Sequence, residues 1–184
     1  MLPGDYPYLD DARASRVRDD TGDDPARVAA VRRYRIVDRP HAEEHQRIAY
    51  LAAVLFDTPI ATISLVEADR VWLAACHGLP GVTELSKDPG LCASVIRADD
   101  VYVVTDAATD PRTTTHPLVR GDLRLRFFAA APIRTWDGFR LGTVNAIDRR
   151  PRRPGTKQLR ALQHLAEVVA DDLELRLIAL RSTG

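Results

Sequence analysis

The stretch IATISLVEADRVWLAAC, residues 60–76, decides the architecture. Along Ile60–Val66 the side chains alternate, with Ala61, Ile63 and Leu65 on one face and Thr62 and Ser64 on the other. A period of two reads as a strand. Glu67-Ala-Asp-Arg70 supplies a turn and Val71–Cys76 a second strand, so residues 60–76 form a hairpin. Later in the chain, FFAAAPIR (127–134) and RLGTVNAI (140–147) flank the turn signal Asp137-Gly138 and form another. Strands joined by hairpins are antiparallel, which excludes a doubly wound parallel sheet.

Helical patterns lie outward from these strands. Residues 25–34 suit a short helix through Val28 and Val31. Asp38-Arg39-Pro40 opens a stronger one, with Glu43 and Glu44 at its positive end. Ile48, Leu51, Ala52, Leu55 and Phe56 recur at helical spacing until Asp57-Thr58-Pro59 stops it. Residues 77–90 read as a loop, Leu91–Ile96 as a short helix and Val101–Val104 as a short strand. The polar stretch TDAATDPRTTTHPLVRGD (105–122) is a long loop of the kind that usually serves function. Thr156 is placed to cap a last helix running to about Arg181. Its residues Leu159, Leu162, Ala166, Val169, Leu173, Leu177 and Leu180 make a narrow stripe of coiled-coil type. The fold class is α+β, with helices from both ends covering one face of the sheet. Residues 1–24, rich in aspartate, read as a mobile tail and 25–184 as a single domain.

Composition narrows the function classes. Of 184 residues, 45% are apolar and 28% charged, enough for an ordinary core without disulfides or metal. Lys+Arg and Asp+Glu both total 26, so nothing electrostatic argues for a nucleic-acid or anionic-membrane partner. No apolar run is long enough for a bilayer, and the N-terminus lacks an apolar signal core. Cys76 and Cys92 read as free thiols in a reducing cytoplasm.

Together these stretches resemble a GAF domain, of the bacterial type found beside signalling kinases, cyclases and phosphatases. The matching residues run in collinear order over about 30–181. They are RIVD (35–38), FDTPI (56–60), ISLVEADR (63–70) with Trp72, LCASVI (91–96), VVTDAATDPR (103–112), HPLV (116–119), RFFAAAPI (126–133) and GFRLGTVNAID (138–148). The resemblance implies a GAF/PAS-like antiparallel sheet of five to six strands. It also implies terminal helices on one face, and a pocket under loops and a short helix on the other. Leu91 stands where the family often has phenylalanine, and His116 where it often has asparagine, both near that pocket.

Several residues then invite a sharp and a structural reading. Cys92 opens a helix under the pocket, where a helix N-terminus would lower its pKa. Some GAF proteins reduce free methionine sulfoxide with pocket cysteines, and Cys76 is the only candidate resolving partner. Cys76-His77 resembles a bilin-attachment dipeptide but sits too early in the chain. His41-Ala-Glu-Glu-His45 fits an inverted zinc-protease pattern, against the simpler reading of an exposed acidic first turn. Asp106, Asp110, Arg112 and His116 are either a polar lid or turn chemistry. Arg124 and Arg126 would hold an anion or snorkel over a sheet edge. Trp72 is a pocket wall or strand packing. Asn145, polar within an apolar strand, needs partners if buried. No dinucleotide, P-loop or nucleophile-elbow motif occurs, nor the Asn-Lys…Asp-Glu signature of cyclic-nucleotide GAF domains.

The expectation is a stand-alone sensory or regulatory domain, cytoplasmic, binding a small molecule or sensing redox state without turnover. The expected pocket comprises Trp72, Cys92, Asp106, His116, Arg126, Phe128 and Asn145, with no catalytic or metal residue assigned and the cofactor unknown. A homodimer is expected through Leu55, Leu162, Val169, Leu173, Leu177 and Leu180, signalling to a downstream protein. The alternatives are a thiol-dependent methionine sulfoxide reductase acting through Cys92, and a dimerisation or adaptor module with no ligand.

Overall fold

Six antiparallel strands form one sheet in a computed structural model that describes residues 25–35, 42–86, 91–98 and 100–182. The expected tail 1–24 and the helix opening at Asp38–Pro40 lie outside those residues. The elements are α1 (Pro25–Arg33), α2 (Glu43–Phe56), β1 (Ile60–Val66), β2 (Arg70–His77), β3 (Glu84–Ser86), α3 (Leu91–Val95), β4 (Tyr102–Val104), α4 (Pro117–Arg120), β5 (Phe127–Arg134), β6 (Arg140–Asp148) and α5 (Thr156–Ser182). Strand order is β3-β2-β1-β6-β5-β4. Both expected hairpins are present, and β1 pairs β6 to join them. The short edge strand β3 occupies part of the stretch expected as a loop, because Arg70–Trp72 offers it a free edge. Pro132 is tolerated in β5 because β4 pairs only with Phe128–Ala130.

Local chemistry sets the helix ends. Asp57 takes a left-handed conformation (φ 52°), and its N–H bonds back to the Ala53 and Val54 carbonyls. Aspartate tolerates that geometry better than most residues. Thr156 does not cap α5; it is the first helical residue. The Gly155 carbonyl accepts from the Gln158 and Leu159 N–H groups, and Gln158 Oε1 accepts from the Gly155 N–H at 2.9 Å. That return bond is half of a capping box one residue earlier than expected.

The helices α1, α2 and α5 cover one face, hereafter the back. Ala61, Ile63, Leu65, Phe127, Ala129, Ile133, Val144 and Ala146 meet Ile48, Ala52, Phe56, Leu162, Ala166 and Leu173 there. The period-two and helical stripes thus converge, each buried Leu or Ile contributing roughly 2 kcal/mol relative to exposure.

This packing corrects the expected dimer stripe. Leu162, Val169, Leu173 and Leu177 are buried at 0%, 1%, 1% and 8% exposure against the chain's own sheet. A residue spent on the core cannot present itself to a second chain. Leu55 is half-buried on the same core, and only Leu180 is exposed.

The packed helices also redefine His45, which is not exposed. It is 1% exposed, with Nε2 3.1 Å from Asp172 Oδ2 on α5. Arg176 Nε reaches the same carboxylate oxygen at 2.7 Å, and Arg176 also pairs with Glu44. His45 Nδ1 is buried without a hydrogen-bond partner. Burial pushes the imidazole pKa down, against the pull of Asp172. The folded state therefore binds its proton less readily than the unfolded chain does. Below the ordinary value of 6.5, the unfolded state takes up that proton first, so stability falls as pH falls. Tm is expected to decline between pH 6.5 and about 5 in the native protein, and less in His45→Gln. Equal slopes in the two thermal titrations would refute this role for His45. His41, the other half of the zinc pattern, lies outside the described residues.

Candidate functional site

The opposite, front face carries a polar patch at the centre of the sheet. β1 and β6 are in register so that Thr62 lies opposite Asn145 and Ser64 opposite Thr143. Opposite residues of an antiparallel pair share a face. Because Ala61, Ile63 and Leu65 take the back, alternation delivers these four polar side chains to the front together. All four are buried. Asn145 Nδ2 donates to Thr62 Oγ1 at 2.8 Å and to Ser64 Oγ at 2.9 Å, and the two hydroxyls lie 3.3 Å apart. Asn145 Oδ1 has no hydrogen-bond partner, and Thr143 Oγ1 has no nitrogen or oxygen partner.

α3 lies over this patch and brings Cys92 to Thr143, Ser64 and Asn145. Apolar groups flank it. Leu91, Val95, Phe128 and Ile147 stand on one side, and Val66, Leu73 and Ile96 on the other. Phe128 meets Tyr102 edge-on at 6.3 Å.

Cys92 departs from expectation. Burial pushes its thiol up, more than the neighbouring hydroxyls and the Asn145 amide pull it down. A helix of only 5 residues offers little dipole to oppose that desolvation. Cys76 is also pushed up by burial, with its thiol donating to the Leu79 carbonyl at 3.4 Å. Cys76 lies opposite Thr62, so both sulfurs are on the front face. Neither is poised as a thiolate.

Of the expected pocket residues, the fold brings together Cys92, Asn145 and Phe128. Trp72 goes elsewhere. It lies opposite Leu65 and packs against the back core, because a bulge between Ile63 and Ser64 resets the alternation of β2. Asp106, His116 and Arg126 hold the 105–122 segment in shape. Asp106 Oδ1 accepts from the Ala108 N–H at 3.1 Å, an Asx-turn. His116 caps α4, its Nδ1 accepting from the Leu118 N–H at 3.1 Å. Arg126 donates to the Leu125 and Val119 carbonyls at 2.9 and 3.3 Å. Arg112 clamps Asp110, holds its carboxyl below the usual range, and stacks 4.8 Å from the centre of the Tyr102 ring. The segment expected as an irregular lid is thus a series of turns ending in the helix α4. Thr62, Ser64 and Thr143 were absent from the expected pocket. The alternation of Thr62 and Ser64 is visible in sequence; their meeting with β6 is not.

Among the described residues, no group of three or more His, Cys, Asp or Glu side chains is placed to hold a metal ion. No described helix is long and apolar enough to cross a membrane.

An antiparallel sheet with terminal helices behind it and a short helix over a buried polar patch in front defines an α+β class of domain. The GAF domain model matches residues 42–177, and the chain belongs to that family. The chain is 35% identical over 163 residues to a cyclic di-GMP phosphodiesterase of Pseudomonas aeruginosa, covering 88% of this chain and 27% of that protein. It therefore spans about a quarter of that relative's length. Among solved structures it resembles the GAF domain of an Acinetobacter phosphoenolpyruvate-protein phosphotransferase (TM-score 0.62, 14% identity, 87% of this chain and 97% of that one). It also resembles the free methionine-R-sulfoxide reductase of Neisseria meningitidis (TM-score 0.58, 20% identity, 85% and 93%). At those identities the likeness is one of fold.

Proposed function

We propose that this chain is a regulatory module that binds a small molecule at the Asn145 patch and signals through α2 and α5 in a homodimer, without turnover. The observation that carries the reading is the Asn145 carboxamide oxygen, fully buried and unpaired at the centre of the sheet. An unmet acceptor in that setting costs about 1–3 kcal/mol, which a ligand with a matching donor would recover. A closed adaptor module would have no reason to keep it.

The dimer reading rests on the outer surface of α2 and α5. Apart from Trp136, every exposed large apolar side chain among the described residues lies on those helices: Tyr50, Leu51, Val54, Val168, Leu175, Ile178 and Leu180. Such a concentration favours association. The thiol-reductase reading asks for a thiolate, and burial acts against one at both cysteines. The similarity to part of a phosphodiesterase favours a domain that governs catalysis over one that performs it.

Native mass spectrometry of the protein purified without denaturation tests the reading. A dimer that retains a small molecule is expected, with Ile178→Ser shifting it to monomer. A strictly monomeric, ligand-free protein, or one that reduces methionine sulfoxide through Cys92, would overturn it.

A further inference from the structure

The hydrogen-bond accounting of the front patch restricts what it accepts. The Asn145 amide donates to Thr62 and Ser64 and also meets the Cys92 thiol, while Oδ1 receives no proton. One hydroxyl proton is used between Thr62 and Ser64, which leaves the other free to point elsewhere. Thr143 Oγ1 meets the Cys92 thiol and no nitrogen or oxygen. The patch therefore has one acceptor in want of a donor, and hydroxyl protons in want of an acceptor.

The charge balance is as clear. Among the described residues, the five side chains Thr62, Ser64, Cys92, Thr143 and Asn145 hydrogen-bond only to one another. Arg126, the expected anion holder, directs its Nη1 to the Leu125 and Val119 carbonyls. A buried charge without a counter-charge costs several kcal/mol, so the patch discriminates against both anions and cations.

Two cross-strand pairs, Thr62–Asn145 and Ser64–Thr143, set the dimensions. Their Cβ atoms mark out a rectangle of about 5 by 7 Å, the scale of a single planar amide group. Resting on the ligand-binding reading above, we propose that this patch takes a small uncharged ligand of amide type. Its N–H donates to Asn145 Oδ1, and its carbonyl accepts from the Ser64 or Thr143 hydroxyl in place of the Cys92 thiol. A thiol is a weak donor and a weak acceptor, so an amide outcompetes it for these groups. Ligand entry then lifts Cys92, and α3 with it, off the sheet. The ligand and the seated α3 bind the same atoms, which is the unequal binding a two-state response requires.

The test is a titration of the isotope-labelled chain with acetamide, acetate and acetone, followed at the Asn145 side-chain amide by NMR. Acetamide is expected to shift that signal saturably. Acetate, which is charged, and acetone, which lacks the N–H, are expected to bind at least about tenfold more weakly. Cys92→Ala, which vacates the patch, should tighten acetamide binding, and Cys92→Ser, a stronger hydrogen-bonding competitor, should weaken it. Acetate binding as well as acetamide, or no response of the Asn145 amide to any of the three, overturns the proposal. A charged molecule retained in native mass spectrometry would also overturn it while leaving the regulatory reading intact.

Discussion

Gly142→Ala is expected to destabilise the protein by about 3 kcal/mol or more, a large share of a typical domain's stability. A Cβ at Gly142 would lie 1.8 Å from the Ser64 carbonyl oxygen and 2.8 Å from Leu65 Cα. Those are backbone atoms of β1, so no rotamer change can make room. β1 is itself held on both sides, by β2 and by β6, and every residue in it is buried. Relief would have to come from parting β1 and β6 where Ser64 meets Thr143. The substitution should therefore damage the candidate site together with the fold. Urea denaturation gives the first quantity, and the Asn145 side-chain signal reports the second. A loss below about 1 kcal/mol would mean that the central strands are less tightly apposed than the backbone indicates.

The second large effect separates two leucines that lie two positions apart in sequence. Leu173→Ala should cost about 3 kcal/mol, because Leu173 is 1% exposed in the back core and its truncation leaves a cavity. Leu175 is 62% exposed, so Leu175→Ser should change the stability of the monomer by no more than about 0.5 kcal/mol. On the dimer reading the second substitution weakens association instead. Denaturation at several protein concentrations distinguishes the two. Leu173→Ala lowers stability at every concentration, whereas Leu175→Ser removes only the concentration-dependent part. Reversed results would restore the coiled-coil stripe as an interface.

That pair of leucines shows where sequence reading stopped. The heptad-like stripe Leu162–Val169–Leu173–Leu177 was legible, and so was its helix. A narrow apolar stripe has the same spacing whether it meets a sister helix or a sheet. Only the position of α5 over β5 and β6 decides between them. His45 was likewise legible as a member of an acidic turn, and became buried because α5 brings Asp172 and Arg176 against α2. Trp72 sat on the expected strand, but a one-residue bulge sent it to the back.

The candidate site was half readable. Asn145 and Cys92 stood out as a polar residue in an apolar strand and a thiol opening a helix. The polarity of Thr62 and Ser64 was visible too, on the face opposite Ala61, Ile63 and Leu65. What united them is the pairing of β1 with β6, across roughly eighty intervening residues. By itself, the sequence determined the long helices, the two hairpins, the antiparallel sheet and the family, because turn chemistry and side-chain period act between near neighbours. The tertiary structure alone decided which strands lie side by side, which stripe is core and which is surface, and which polar atoms are left unpaired. Those depend on contacts between distant segments, whose geometry no local pattern encodes.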